Sequence, residues 1–197
     1  MTQTRLKAAA AAVALLALVA VGWLGVELLR GQKPSAVFEV GGPFVLAAAR
    51  GGTVDSASLA GKPYAVFFGF THCPEVCPTT LYEMSSNLAS LGDAAKDFRV
   101  FFITVDPARD TVAAMKDYVA NFDPRIEALV PTEEQLKQLV SDFRVYYAKV
   151  PTSDGGYTMD HTATIYLFGA DGRFAGTIAY GEAAEMREAK LKKLLGG

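Results

Sequence analysis

Reactive residue types are scarce in this chain of 197 residues: it has two cysteines and two histidines. That is too few for a zinc ribbon and too few for a small disulfide-dense scaffold. A basic excess is missing as well. The formal net charge is -2, which argues against a general nucleic-acid binder, whose surface carries a positive balance. Apolar residues, by contrast, are plentiful. They make up 51% against 20% charged, which excludes a wholly disordered chain. The length accommodates one ordinary domain plus an appendage.

Much of the hydrophobic excess sits in one place. Residues 8–26 (AAAAAVALLALVAVGWLGV) are 19 consecutive positions without a charge. As a helix rising ~1.5 Å per residue they span about 28 Å, close to the hydrocarbon thickness of a bilayer. No face of the segment is polar, so a buried core helix explains it poorly. Arg5, Lys7 and the amino terminus precede it, while Glu27, Arg30 and Lys33 follow. The more positive upstream flank predicts a cytoplasmic N-terminus and an exported remainder. A cleaved secretory signal is the alternative, but the run exceeds the usual ~7–15-residue apolar region of such signals. The expectation is a single-pass protein of the bacterial inner membrane. Residues 1–33 form its cytoplasmic tip, transmembrane helix and flank, and residues 34–197 form one periplasmic domain. Because residues 1–33 hold four basic residues and one acid, the exported part carries -5. It meets an oxidising compartment, where two cysteines form a disulfide unless a metal or a reductant prevents it.

Within the exported part, residues 64–70 (YAVFFGF) and 98–105 (FRVFFITV) are continuous apolar runs of the kind found in strands buried on both faces. Short strands are expected at 44–48 and 53–54, helices at 79–91, 111–121 and 132–141, and a closing helix at 182–195. Thr132 and Gln135 have capping-box spacing. Residues 143–150 and 157–168 read as strands, with Asp171-Gly172 turning the latter back into 173–179. Buried strand, helix, buried strand, helix and a late hairpin describe an α/β layer domain with a mixed sheet. Thioredoxin-like folds have this order, and so do other small α/β sheets.

Both cysteines fall in Thr71-His72-Cys73-Pro74-Glu75-Val76-Cys77-Pro78, directly after the first buried strand. Binding sites gather at the carboxyl ends of strands in such sheets. Proline is well placed at the first helical position, so the helix is expected to start near Pro78 with Cys77 around its N-cap. Either sulfur then lies close to a helix N-terminus, whose partial positive charge favours thiolates. A thiolate pair supports thiol–disulfide exchange or the binding of a soft metal. A purely structural disulfide gains little from closing so short a loop. His72 adjoins Cys73 and reads as a solvated loop residue. His161, entering an apolar strand, is a candidate third ligand, and two sulfurs with one imidazole suit copper. Met159 shares the strand face of His161 and is a weak axial candidate, whereas Asp160 points the other way and reads as orienting nearby backbone or a docking partner. Asp106 ends the second buried strand and reads as an outer support of the site or a docking residue. Asp110 reads as a cap of the following helix. A peroxidase would place Arg109 beside a reactive cysteine, but the proline after each cysteine argues against it.

Three motifs in order resemble the SCO/SenC family: Gly69-Phe70-Thr71-His72-Cys73-Pro74-Glu75-Val76-Cys77-Pro78, Asp106-Pro107-Ala108-Arg109-Asp110-Thr111 and Asp160-His161-Thr162. Phe122-Asp123-Pro124-Arg125 and Asp171-Gly172-Arg173-Phe174 extend the resemblance over nearly all of 34–197. The resemblance implies a thioredoxin-like fold on a single membrane anchor, with one copper ion, Cu(I) or Cu(II), held by Cys73, Cys77 and His161. It also implies a role in assembling the CuA centre of cytochrome c oxidase, as copper donor, as thiol reductant of the acceptor cysteines, or both. The partners implied are the CuA-bearing oxidase subunit, an upstream copper donor and a thiol reductant. Thr162 stands where many members have serine.

Overall fold

Two aromatic-rich strands lie side by side at the centre of the sheet. β3 (Tyr64–Gly69) is buried at every position, and β4 (Arg99–Thr104) at every position but its first. Phe67 and Phe102 stack across them with ring centroids 5.8 Å apart. The computed structural model describes residues 15–23 and 40–196, which fall in two separate units divided after Phe38. In the first unit, residues 15–23 are helical and exposed. Among the described residues no helix is long and apolar enough to cross a membrane. The remainder of the expected anchor, 8–14 and 24–26, lies outside the described residues.

The second unit is a thioredoxin-like α/β domain. Its other strands are β1 (Val45–Ala48), β2 (Thr53–Asp55), β5 (Ile126–Val130), β6 (Tyr147–Pro151), β7 (Tyr157–His161), β8 (Thr164–Phe168) and β9 (Phe174–Ala179). Seven of them form a mixed sheet in the order β2-β1-β5-β4-β3-β8-β9, and β6 and β7 form a separate antiparallel pair. β3, β4 and β5 run parallel, while β1 and β8 are antiparallel to β5 and β3 respectively. The helices are α1 (Val76–Leu91), α2 (Val112–Val119), α3 (Glu133–Asp142) and α4 (Ala184–Leu194). α1 links β3 to β4 and α2 links β4 to β5, the crossovers that parallel neighbours require. The expected capping box at Thr132 and Gln135 is present, with both reciprocal bonds formed.

Three elements differ from the sequence reading. β5 was not expected, because its five-residue run is interrupted by Glu127, which turns out to pair with Arg50 at 3.2 Å. The expected strand over 157–168 is broken at Thr162 and Ala163, so that β7 and β8 join different sheets. Nor does 143–150 begin as a strand. α3 runs on to Asp142 and closes in a Schellman turn, with Arg144 N–H on Ser141 O at 3.3 Å and Val145 N–H on Val140 O at 2.8 Å. Arg144 takes the left-handed conformation at φ 57°, and no glycine marks the stop in the sequence.

Phe143, at this helix end, is fully buried against Phe68, Tyr166 and Phe168. Phe143→Ala is expected to cost about 3–5 kcal/mol in urea unfolding. Arg144→Gly is expected to stabilise by about 0.5–1 kcal/mol, because it removes a left-handed backbone penalty at an exposed site.

Candidate metal centre

The cysteine loop is built on the carboxyl end of β3. α1 starts at Val76, two residues earlier than expected, and its N-cap residue Glu75 makes no side-chain cap. The reason is the position of Pro78. The first helical hydrogen bond runs from Thr79 N–H to Glu75 O at 3.1 Å, so a proline at the third helical position removes no bond. Cys77 therefore lies inside the first turn and not at the cap. Its backbone N–H donates to Cys73 Sγ at 3.4 Å, and the sulfur stands where a capping oxygen would. The Cys77 side chain is fully buried beneath Gly69. A Cβ at Gly69 would lie 2.6 Å from Cys77 Sγ and 2.6 Å from the Phe102 ring, so only glycine leaves room for the thiol.

Asp110 holds this loop from the one that follows the neighbouring strand. Its buried carboxylate accepts from Thr71 N–H at 3.0 Å, Thr71 Oγ1 at 2.5 Å and Thr104 Oγ1 at 2.6 Å. It does not cap α2; Thr111 does, accepting from Ala114 N–H at 3.2 Å. Asp106 is also buried, which removes it from any docking surface. Its carboxylate takes Arg109 Nε at 2.5 Å and Tyr157 Oη at 3.0 Å. Arg109 lies 3.7 Å above the Tyr157 ring and also donates to Tyr157 O at 2.9 Å. The pair therefore clamps the start of β7 to the loop after β4. Arg109 does not face the cysteines as a peroxidase would require.

The far end of β7 carries His161. Its Nδ1 lies 3.1 Å from Thr162 O, and a carbonyl only accepts, so Nδ1 bears the proton. Nε2 is thus the nitrogen turned to the sulfurs, 3.6 Å from Cys77 Sγ. The rings of Phe67 and Phe70 sit edge-on to it at 6.3 and 5.7 Å, fixing its plane. Cys73 Sγ, Cys77 Sγ and an imidazole nitrogen of His161 all lie within 4.8 Å of one another. A first-row ion held trigonally by such donors at about 2.0–2.3 Å would set them roughly 3.5–4 Å apart, so the cluster needs only slight closure to bind metal. Two soft sulfurs and one imidazole match the preferences of copper. The other sequence candidates stand apart from the cluster. Met159 is buried in the hydrophobic core. Asp160 is exposed opposite Ala148, and His72 is exposed beside Cys73.

Proton sharing polarises the sulfur pair. The Cys77 thiol donates to Cys73, and with the backbone N–H groups of Cys77 and Glu75 it lowers the Cys73 pKa to about 4 against the opposing effect of burial. The same hydrogen bond, together with burial and the adjacent negative charge, pushes the Cys77 thiol well above the usual range. The reduced pair is therefore a half-buried thiolate beside a buried thiol. Sequence reasoning missed the supports: Gly69, Thr71, Thr104 and Tyr157 carry no local signature of their contacts, although Gly69 and Thr71 lie within the cysteine motif.

The SCO1/SenC family model matches residues 32–196, and the chain belongs to this family. A SCO2-like protein of Rickettsia conorii is 36% identical over 169 residues, covering 80% of this chain and 82% of that one. Bradyrhizobium japonicum ScoI with copper bound is 47% identical, with a TM-score of 0.73 over 79% of this chain and 99% of that one. Arabidopsis thaliana ScoI with copper bound is 32% identical, with a TM-score of 0.74 over 80% of this chain and 98% of that one. Homologous structures thus hold copper, and the donor set of Cys73, Cys77 and His161 fits the same ion.

Two outcomes follow from this geometry. In the reduced, metal-free protein, alkylation of Cys73 should persist through mildly acidic pH and fall only as pH drops through about 4, as followed by mass spectrometry; Cys77 should stay unmodified. Gly69→Ala should destabilise by about 1–3 kcal/mol in urea unfolding and weaken Cu(I) in competition titrations, because the added methyl displaces the Cys77 sulfur.

Proposed function

We propose that the protein is a membrane-anchored copper metallochaperone that assists assembly of the CuA centre of cytochrome c oxidase. The observation that carries this reading is the convergence of Cys73 Sγ, Cys77 Sγ and the His161 imidazole within 4.8 Å of one another. Family membership supports it, since the Sco family is described as one of cytochrome c oxidase assembly proteins. Copper is the cargo. Cys73 and Cys77 as thiolates and His161 as neutral imidazole hold Cu(I) in a three-coordinate site with one side open. Incoming thiolates of the acceptor, the CuA-bearing oxidase subunit, displace these ligands one at a time. Cys73 and His161 are half-buried while Cys77 is fully buried, so exchange proceeds from the Cys73 side and Cys77 is released last.

The uncharged run over 8–26 and its positive upstream flank support a single-pass anchor over 1–33 in the inner membrane, with 34–197 in the periplasm. An upstream copper donor and a thiol reductant complete the cycle. One observation favours a second activity. A thiolate at Cys73 beside a buried resolving thiol is the arrangement for reducing a disulfide of the acceptor without copper.

Titration of the reduced protein with Cu(I) against a competing chelator separates the two. His161→Ala is expected to weaken copper by more than about tenfold, the lower bound for loss of even an outer-shell partner. Undiminished affinity in that variant would overturn the three-ligand reading. Reduction of an oxidised acceptor domain by the copper-free protein should require both cysteines and survive His161→Ala if the second activity operates.

A further inference from the structure

His72 and His161 are the two histidines of the chain, and both are locked in the same tautomer. At His161 the lock is the Thr162 carbonyl. At His72 it is a two-step relay. Thr71 Oγ1 donates its single proton to Asp110 Oδ1 at 2.5 Å, so it can only accept from His72 Nδ1, 3.0 Å away. Asp110 Oδ1 itself lies 3.7 Å from the same ring nitrogen. A fully buried carboxylate therefore anchors the backbone, hydroxyl and ring of consecutive residues immediately before Cys73. His72 remains 55% exposed, and its Nε2, the nitrogen with the free lone pair, has no partner among the described residues. A merely solvated histidine needs no such tether.

The ring stands outside the cluster of three donors, so it is no resident ligand of that site. It does belong to the residue just before the more open of the two sulfurs. Cys77 is closed off from solvent and the open side is that of Cys73, the residue next to His72. We infer that His72 is a transient copper ligand, which takes Cu(I) from an incoming carrier through Nε2 and passes it to Cys73, and which runs in reverse on release. The inference rests on the copper-chaperone reading. Copper remains Cu(I) throughout. One donor–copper bond forms as one breaks: carrier to Nε2, then Nε2 to the Cys73 sulfur. The proton shared by the cysteine pair leaves to solvent as Cys77 and His161 close on the ion.

A ligand used only along the path lowers the barrier equally in both directions. His72 should therefore affect loading and unloading rates by the same factor and leave the equilibrium unchanged. The test is stopped-flow spectroscopy of the full-length reduced protein. Loading is followed from the Cu(I)–bicinchoninate complex, unloading to excess chelator, and the dissociation constant is measured separately. His72→Ala and His72→Gln are expected to slow both rates by at least severalfold with the dissociation constant unchanged; glutamine retains an N–H to give to Thr71 but no imidazole. His72→Met, which restores a soft donor, is expected to recover part of both rates, which a structural role would not produce. Unchanged rates in the alanine and glutamine variants overturn the inference. So does a weakened dissociation constant with one rate altered, which makes His72 a resident ligand or a structural support. Copper binding by the wild type that is indifferent to Cys73, Cys77 and His161 overturns the chaperone reading instead, and is recognised before any His72 variant is compared.

Discussion

The metal centre depends on one buried carboxylate. Asp110 accepts three hydrogen bonds, two from Thr71 and one from Thr104, and so ties the loop after β3 to the end of β4. An ionised carboxylate away from water costs several kcal/mol unless it is satisfied, and hydrogen bonds to a charged group return about 1.5–3 kcal/mol each. Three such bonds make the burial tolerable. They also couple the loop to the carboxylate, because displacing the loop would remove both Thr71 donors and leave the charge with Thr104 alone. The loop from Thr71 to Glu75 has no regular structure of its own, and this anchor gives it a defined shape where the sulfurs require one.

From that anchor the electrostatics follow. Asp110 brings negative charge near Cys77 and helps keep it protonated, whereas Cys73 ionises easily because the hydrogen bonds it accepts outweigh its own burial. A sulfur in place of an N-cap oxygen gives the thiolate a backbone donor and the positive end of α1 at no cost in space. Cys77 stays a neutral thiol for the same reason: within the metal-free pair it is the donor. Binding a cation removes that asymmetry, since both sulfurs then act as acceptor-only ligands and the shared proton must leave. Metal binding and thiol redox chemistry thus draw on one stored proton, which is why a single pair of cysteines can serve either activity.

The three donors were legible in the sequence because the chain is so poor in alternatives. With two cysteines on one loop and two histidines in all, composition nearly chose the site. The central strands were equally plain, since β3 and β4 are unbroken apolar runs bounded by turns. What stayed hidden was of two kinds. Local rules failed where two of them competed. Pro78 suggested a helix start, but a proline is tolerated anywhere in the first turn, and the Schellman end of α3 uses an arginine where glycine is the usual sign. Long-range contacts were hidden altogether. Nothing near Arg109 announces a ring 48 residues away, and nothing near Thr71 announces a carboxylate 39 residues on. β5 was concealed by Glu127, whose outward pairing with Arg50 only the folded sheet reveals.

The site is assembled from two differently supported halves. Both cysteines belong to the loop and helix rooted in the seven-stranded sheet, within a core of stacked aromatic rings. His161 belongs to the β6–β7 pair, which shares no backbone ladder with that sheet. Its attachment runs through side chains: Tyr157 held by Asp106 and Arg109 at one end of β7, and the edges of Phe67 and Phe70 around the imidazole at the other. Loss of the tyrosine clamp would therefore loosen the imidazole and leave the sulfur pair in place. The two chemistries open to the site divide along the same line. Disulfide exchange needs only the rigid half, whereas holding copper through three donors needs the hairpin docked as well. The docking contacts of a two-stranded pair, and not the geometry of the cysteine loop, thus decide how firmly a third ligand stands beside the thiol pair.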